Sequence, residues 1–390
     1  MFKIKTYNAI SVKGLNRFGR DKYEVASEMS HPDAFILRSH KLHNESVPST
    51  VKAVARAGAG VNNIPVEDYT KQGIVVFNTP GANANAVKEL VLAGLLLSSR
   101  GITQGMNYVS TLTDMNDAAA MGKLLEGEKK RFAGNELYGK TLGVVGLGAI
   151  GSMVAEMALA LGMDVVGFDP ALSVEAAWRL PSQVQRKENL QSLLAAADYV
   201  TLHVPALPAT KHMVNADALK SVKPGAVLLN FARDAIVDAE AVVASLDENQ
   251  LGMYVCDFPE PNLIGREDVI AMPHIGASTA EAEENCAVMA ANQLMEFLEN
   301  GNIINSVNFP PVQMARVGGY RITFANDNVS GVLGHVLSVL ADNNVNVIDM
   351  MNKSRGDVAY NIIDVEQAPS EAVMAAIQDV EHVITVRVIS

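Results

Sequence analysis

Residues 140–170, KTLGVVGLGAIGSMVAEMALALGMDVVGFDP, constrain the fold most, because they spell out a strand, a glycine turn, a helix and a second strand. A β-branched run ends in GLGAIG at 146–151, and good helix formers follow. Gly146 permits the tight turn, Gly148 lets the backbone approach a pyrophosphate, and Gly151 lets the helix lie close to the sheet. Free N–H groups at the helix start would face the phosphates. The stretch predicts a dinucleotide-binding unit.

The second strand ends in Asp169, 18 positions beyond Gly151. A carboxylate there can accept hydrogen bonds from an adenosine ribose and would repel a 2′-phosphate, so NAD is favoured over NADP. The alternative is an ordinary strand-to-helix connection, which the combined strand, helix and acid make the weaker interpretation. The predicted cofactor contacts here are Gly146, Gly148, Ala149, Ile150, Gly151 and Asp169.

Composition limits the remaining possibilities. With 390 residues, 49% of them hydrophobic and 19% charged, we expect two or three domains with well-buried cores. A formal charge of −12 argues against a nucleic-acid or anionic-membrane partner. The two cysteines fit buried thiols in a reducing cytosol, and the sequence has no metal-ligand cluster of Cys and His. It also has no signal-peptide or membrane-spanning pattern. We expect a soluble cytoplasmic protein without a metal.

Before the glycine turn, apolar runs at 34–37, 51–55 and 74–77 each end in a turn, which predicts parallel strands separated by helices. Ligands gather beyond the carboxyl ends of such strands. Arg38 and Arg56 fall there, beside the Gly-Ala-Gly turn at 58–60, and predict an anion pocket. The alternative for either arginine alone is a surface residue with a carboxylate neighbour. The cluster Lys129, Lys130 and Arg131 is either a solvated face or a second phosphate contact.

After the nucleotide unit, strands are predicted at 199–203, 226–230, 253–256 and 269–272. Arg233, Glu260 and His274 each follow one of these strands, so we expect them to face one crevice. Singly, each has an ordinary structural explanation as a salt-bridged or capping residue. Together they are a charge clamp, a carboxylate and an acid/base, which suits catalysis.

The chain closes with a predicted helix to residue 300, a linker at 308–311 and a βαββαβ segment. The predicted fold is α/β, with two doubly wound parallel-sheet domains, the first of them discontinuous, and a small C-terminal domain. The predicted domains are a substrate-binding domain at 1–90 and 276–308, an NAD-binding Rossmann domain at 91–275, and a third domain at 316–390.

The chain resembles the D-isomer-specific 2-hydroxyacid dehydrogenases through RAGAGVNNI at 56–64, GLGAIG, DP at 169–170, HVP at 203–205, NFAR at 230–233, EP at 260–261 and PHIGAST at 273–279. The resemblance implies that Arg233 holds the substrate carboxylate and 2-oxygen, His274 is the acid/base and Glu260 its partner. The predicted anion pocket and basic cluster place further substrate contacts at Arg38, Arg56, Gly58 and Arg131. The resemblance adds to the NAD site Ala59, Val204, Phe231, Ala232, Arg233, Asp257, His274, Gly276 and Ala277.

The activity implied is NAD-dependent oxidation of D-3-phosphoglycerate to 3-phosphohydroxypyruvate, the first step of phosphorylated serine synthesis. One alternative is a relative acting on an unphosphorylated 2-hydroxy acid such as glycerate. Another is a non-catalytic NAD sensor resembling the corepressors of this family.

Residues 316–390 resemble an ACT domain, which implies a homodimer or homotetramer and inhibition by L-serine. Asn328 and Asn346 match family asparagines that hold the effector. Ser330 stands in place of the usual proline and Asn326 in place of a histidine.

Overall fold

A parallel sheet of five strands, ordered β2-β1-β3-β4-β5, opens the chain. The computed structural model describes residues 1–390, apart from the side chain of Glu175. β3, β4 and β5 are buried almost throughout, so they are apolar runs rather than alternating ones. The elements are β1 (Phe2–Thr6), α1 (Val12–Leu15), β2 (Tyr23–Ala26), β3 (Ala34–Leu37), β4 (Ala53–Arg56), α2 (Val66–Lys71) and β5 (Val75–Phe77).

A second parallel sheet of seven strands follows, in the order β12-β11-β10-β9-β6-β7-β8. The strand order reverses beside β6, which places a ligand crevice at the carboxyl ends of β6 and its neighbours. The elements are α3 (Ala84–Ser99), α4 (Ile102–Ser110), α5 (Ala118–Glu128), β6 (Thr141–Val145), α6 (Ala149–Ala160), β7 (Asp164–Phe168), α7 (Val174–Arg179), β8 (Gln185–Arg186), α8 (Leu190–Ala196), β9 (Tyr199–Leu202), α9 (Ala216–Leu219), β10 (Ala226–Asn230), α10 (Ala239–Asp247), β11 (Leu251–Cys256) and β12 (Val269–Ala271). Short 3-10 helices lie at Lys129–Phe132, Asp234–Ile236 and Pro261–Leu263.

The last third contains a long helix and an antiparallel sheet ordered β14-β15-β13-β16. Its elements are α11 (Ala280–Asn300), β13 (Tyr320–Asp327), α12 (Val332–Asp342), β14 (Val347–Arg355), β15 (Val358–Val365), α13 (Glu371–Gln378) and β16 (Val383–Ile389). The predicted βαββαβ order is confirmed.

Contacts divide the chain into two units, Met1–Asn83 with Ala280–Ser390, and Ala84–Thr279. The predicted third domain therefore groups with the first sheet, while the domain boundaries proposed from the sequence stay predictions. The grouping has a clear cause, since every residue of β15 is buried. Ile363 and Val365 pack with α12 and α13, whereas Tyr360 and Ile362 belong to the core around α11 and the first sheet.

Arg321 of β13 fixes this packing. Its side chain is fully buried and forms a bidentate pair with Asp364, with N–H···O distances of 2.7 and 2.8 Å. The remaining guanidinium N–H groups donate to the carbonyls of Asn300, Met314 and Ala315. All donors of the guanidinium are thereby satisfied, which a buried charge requires.

Within the described part of the chain, no helix is both long and apolar enough for a membrane span.

Candidate active site

The glycine turn between β6 and α6 has the geometry of a phosphate-binding loop. Gly146 has φ +88°, and a Cβ atom there would lie 2.6 Å from the His203 carbonyl oxygen. A Cβ atom at Gly151 would lie 1.9 Å from the Gly146 carbonyl oxygen, so only glycine fits. A Cβ at Gly148 would meet nothing within 4 Å, and no side chain caps α6. The backbone N–H groups at the start of α6, near Ala149 and Ile150, have no side-chain cap and open space in front of them. This arrangement fits a pyrophosphate.

Asp169 follows β7, as predicted. Its carboxylate accepts hydrogen bonds from the backbone N–H of Leu147 at 2.8 Å and of Ala171 at 2.9 Å. The first bond ties the acid to the glycine turn itself and fixes its place beside the crevice. A carboxylate has about four acceptor sites, so it retains capacity for ribose hydroxyls.

Asp257, at the end of β11, anchors the loop that carries His274. The carboxylate is 1% exposed and accepts from the backbone N–H groups of Ile275 and Gly276, both at 2.8 Å. Its carbonyl accepts from the His274 N–H. His274 has φ 56° and an exposed side chain, so three hydrogen bonds hold a residue in an uncommon backbone conformation. The sequence motif gave no sign of this anchoring role.

Phe258 lies between the two principal catalytic candidates and was missed from the sequence. Its ring centroid is 4.4 Å from that of His274, and the Arg233 guanidinium carbon is 5.5 Å from the same ring. The predicted convergence of Arg233 and His274 is therefore seen, with an aromatic ring between them. Arg233 is half-buried, and its Nη1 donates to the Ala232 carbonyl at 2.6 Å. The only sequence signal for Phe258 was its place directly after Asp257, a predicted NAD contact.

Glu260 is not joined to His274 in the structure. It is exposed at the start of the 3-10 helix Pro261–Leu263, and the described residues show no ion pair or side-chain hydrogen bond for it. The ring that His274 contacts belongs to Phe258 instead. The described residues show no contact that pairs Glu260 with His274, and the catalytic role of Glu260 stays a prediction.

The remaining predicted NAD contacts of this unit surround the same strand ends. Phe231 is buried against Gly94 of α3, so only its backbone is available to a ligand. Ala232 donates its N–H to Asn230 Oδ1, and a Val204 methyl lies 2.9 Å from where a Gly146 Cβ would be. Ala277 is half-buried after the anchored loop.

His203 lines the back of the glycine turn as a neutral imidazole. Burial lowers its pKa to about 3, and Nε2 hydrogen-bonds Thr201 Oγ1 at 2.9 Å. A histidine with such a pKa stays uncharged through the physiological range, so His203 supports the turn and supplies no acid/base function near neutral pH.

The anion-pocket residues of the first sheet do lie together. Arg38 directly follows β3, Arg56 is the last residue of the neighbouring β4, and Arg56 Nε donates to the Arg38 carbonyl at 2.9 Å. Arg56 Nη1 also donates to the Gly60 carbonyl, and it would lie 3.1 Å from a Cβ at Gly58. Arg56 thus shapes the 56–60 turn. The Ala59 carbonyl accepts from Asn78 Nδ2, which secures the other side of that turn.

Arg38 is the more accessible of the two arginines. Its Nη1 lies 2.5 Å from Glu283 Oε1 of α11, and the two side chains are 42% and 45% exposed. Such an exposed pair contributes little to stability, so a stronger anion can replace the glutamate. Arg131 lies elsewhere, in the 3-10 helix after α5, where it pairs with Glu128 and stacks over Tyr108 and Phe132. Its predicted substrate contact stays a prediction.

The predicted effector asparagines lie at opposite ends of the C-terminal sheet. Asn328 follows Asp327, which pairs with Val358, whereas Asn346 precedes Val347, which pairs with Val365. The full length of β15, roughly 24 Å at about 3.4 Å per residue, separates these ends. Asn328 Nδ2 donates to the Gly356 carbonyl, and Asn346 Nδ2 to Glu366. One small effector could contact both asparagines only if two copies of the chain supplied one each.

The expectation about the two cysteines is confirmed. Cys256 and Cys286 are free and buried, as predicted, and burial raises the pKa of Cys256 to about 11. Among the described residues no group of His, Cys, Asp and Glu side chains is arranged to hold a metal ion.

Comparison with known proteins agrees with this geometry. Residues 102–276 match the family described as D-isomer specific 2-hydroxyacid dehydrogenase, NAD binding domain. The D-3-phosphoglycerate dehydrogenase of Haemophilus influenzae is 32% identical over 360 residues, which cover 88% of this chain and 82% of that protein. The chain belongs to the D-isomer specific 2-hydroxyacid dehydrogenase family. Its glycine turn is therefore part of an NAD-binding domain.

Other relatives extend the comparison. The D-3-phosphoglycerate dehydrogenases of Methanocaldococcus jannaschii and Synechocystis sp. are 32% and 37% identical, and the matches cover 85% and 75% of this chain. The chain spans 62% and 51% of those two proteins. A crystal structure of NAD+-bound 3-phosphoglycerate dehydrogenase from Entamoeba histolytica aligns with a TM-score of 0.60 at 25% identity, covering 79% of this chain and 98% of that one.

Proposed function

We propose that the protein oxidises D-3-phosphoglycerate to 3-phosphohydroxypyruvate with NAD, the first step of phosphorylated serine synthesis. The main support is its similarity to curated proteins named D-3-phosphoglycerate dehydrogenase over 85–88% of the chain. The placement of Arg38 beside Arg56 agrees with a substrate that carries a phosphate, because arginine forks suit phosphate oxygens.

The proposed division of labour follows from charge and reach. Arg233 binds the substrate carboxylate and stabilises charge on the 2-oxygen, and Arg38 binds the phosphate. His274 takes the hydroxyl proton when the C2–H bond breaks, and returns it in the reverse reaction. Bound NAD supplies the hydride acceptor, held by the 146–151 turn and by Asp169. Asp257 keeps the His274 loop in place through its three hydrogen bonds.

The function is tested by following NADH absorbance with purified protein, NAD and either D-3-phosphoglycerate or D-glycerate. We expect NADH formation with the phosphorylated acid, at a kcat/KM at least tenfold above that for glycerate. Equal turnover of both would favour the unphosphorylated-acid alternative. No NADH from either, with NAD still bound, would favour the NAD-sensing alternative.

The cofactor preference has its own test. Asp169→Ala should weaken NAD binding about tenfold and relieve the repulsion of NADP, because the ribose acceptor and its charge are both lost. Asp164→Ala, at the exposed opposite end of β7, is the control and should leave both affinities unchanged. An unchanged NAD/NADP ratio in Asp169→Ala would refute the ribose assignment.

We propose a cytoplasmic homodimer or homotetramer whose C-terminal sheet binds L-serine across two copies. Within this chain α4 and α5 bury no residue completely, and Met106 and Val109 are 67% and 50% exposed, which suits burial against another copy. L-Serine should inhibit at about millimolar concentration or below, and Asn346→Ala should abolish this. Sedimentation that shows a monomer, together with rates insensitive to serine, would exclude both roles.

A further inference from the structure

A cavity of about 310 Å³ lies where the first sheet meets the C-terminal sheet, within one unit of the chain. One wall comes from the amino ends of β3, β4 and β5, where Asp33, Lys52 and Gly73 precede the strands. The facing wall comes from Thr323, Thr385 and Arg387 of the C-terminal sheet. We call this space the seam cavity. Its volume is near the lower end of the range for small-molecule sites.

The cavity contains one cation without a counter-ion. Lys52 is neutralised by Asp33, with Nζ 2.5 Å from Oδ1. Arg387 is half-buried and, among the described residues, has no carboxylate within ion-pair distance. Its Nε donates to Thr323 Oγ1 and its Nη2 to the Phe297 carbonyl, while Nη1 has no protein acceptor in the described structure. A partly buried guanidinium with an unused donor fits an anionic ligand.

The surroundings of Arg387 select the kind of anion. The guanidinium carbon lies 4.1 Å from the Phe297 ring centroid, so a cation–π contact holds the group in place, and Tyr360 also lines the cavity. The hydroxyls of Ser49 and Thr385 line the cavity and form no hydrogen bond among the described residues. One unpaired positive charge in a cavity that Asp33 also lines suits a monoanion better than a phosphate dianion.

We propose that the seam cavity binds a small hydroxylated monocarboxylate, whose carboxylate pairs with Arg387 and whose hydroxyl hydrogen-bonds the hydroxyls of Ser49 and Thr385. Such a ligand touches both sheets and therefore stabilises their contact. The site lies at the amino ends of β3 and β4, whereas Arg38 and Arg56 lie at their carboxyl ends. It is distinct from the predicted effector asparagines and does not depend on the proposed dehydrogenase activity.

The test uses 3-hydroxybutyrate, which is not a 2-hydroxy acid, and the neutral 3-hydroxybutyramide as its matched control. Hydrogen–deuterium exchange of the full chain locates binding. We expect carboxylate-dependent protection of the peptides that contain residues 49–52 and 385–387, with a Kd of about 1 mM or tighter and no protection by the amide.

Two variants make the result decisive. Ser49→Trp fills the cavity from an exposed position and should abolish the protection, whereas Ser46→Trp, exposed but outside the cavity, should retain it. Arg387→Gln should weaken binding at least tenfold. The proposal is overturned if the carboxylate gives no protection, if the amide protects equally, or if Ser49→Trp is protected like the unmodified protein.

Discussion

Two arginine–carboxylate pairs in the same unit show how differently one chemical interaction is used. Arg321 and Asp364 are 0% and 1% exposed, and every guanidinium N–H of Arg321 is bonded. Arg38 and Glu283 are 42% and 45% exposed and share a single contact. A buried charge that loses its partner destabilises a protein strongly, whereas an exposed pair contributes little.

The comparison separates structure from function. The Arg321–Asp364 pair fixes the C-terminal sheet to α11 and to the carbonyls of Met314 and Ala315, so it should tolerate no exchange of partners. Arg38 can exchange Glu283 for an anionic ligand with only a small loss of stability. We therefore expect stability to depend on Arg321 and substrate affinity to depend on Arg38.

The largest effect should come from Arg321→Met. It leaves Asp364 buried without its partner and frees three carbonyl groups, so the free energy of unfolding should fall by about 3–5 kcal/mol. Urea denaturation measures the change, with Arg38→Ala as the control expected to lose less than about 1 kcal/mol. The double variant Arg321→Met, Asp364→Leu should recover part of the loss. Equal losses for Arg321→Met and Arg38→Ala would remove the distinction between the two pairs.

Arg38→Ala should act on binding instead. Loss of a charge-assisted contact to phosphate should raise KM for D-3-phosphoglycerate about 10- to 100-fold, while kcat changes little. Steady-state kinetics test this, and D-glycerate is the matched substrate whose KM should not change. A rise in KM for both substrates would show that Arg38 does not contact the phosphate.

Glu299 has an exposure between those of the two arginine–carboxylate pairs, since its side chain is 27% exposed. Burial acts to raise its pKa, but hydrogen bonds from Lys22 and Tyr23 outweigh this, so the pKa is lowered overall. A lowered carboxyl pKa stabilises the fold above the unfolded-state pKa, and this stabilisation is lost as pH falls through the folded-state value.

Glu299→Gln should therefore lose about 1 kcal/mol at pH 7 and flatten the fall in stability below about pH 4.5. Thermal unfolding across pH 3–7 measures both effects, with the exposed Glu24→Gln as control. If the stability of Glu299→Gln falls as steeply below pH 4.5 as that of the unmodified protein, Glu299 does not contribute to the loss of stability in acid.

The smallest effect should come from Glu283→Gln. It removes the competitor for Arg38, so stability should change by less than about 0.5 kcal/mol and KM for D-3-phosphoglycerate should fall about twofold to threefold. The matched control is Glu284→Gln, which breaks the exposed pair with Lys13 and should leave KM unchanged. A raised KM in Glu283→Gln would mean that Glu283 positions Arg38 rather than competing for it.

The sequence predicted most where local chemistry decides the structure. The glycine turn, Asp169 and the βαββαβ order follow from spacing alone, and Arg38 and Arg56 were placed together by the rule for strand ends. Phe258 and the anchoring by Asp257 were missed, because both depend on how two loops meet in space. The Arg321–Asp364 pair was missed since alternation in β13 suggests an exposed face. Only the packing of β15 on both sides shows that this face is buried.

The measurement that tests the central claim most directly is the rate of NADH formation by His274→Gln with saturating NAD and D-3-phosphoglycerate. Because the hydroxyl proton then lacks its acceptor, kcat should fall roughly 10²- to 10⁴-fold while the Kd for NAD stays within about twofold. His212→Gln, another exposed histidine with positive φ, is the control and should retain full activity. Near-normal turnover by His274→Gln would remove His274 from the proposed mechanism.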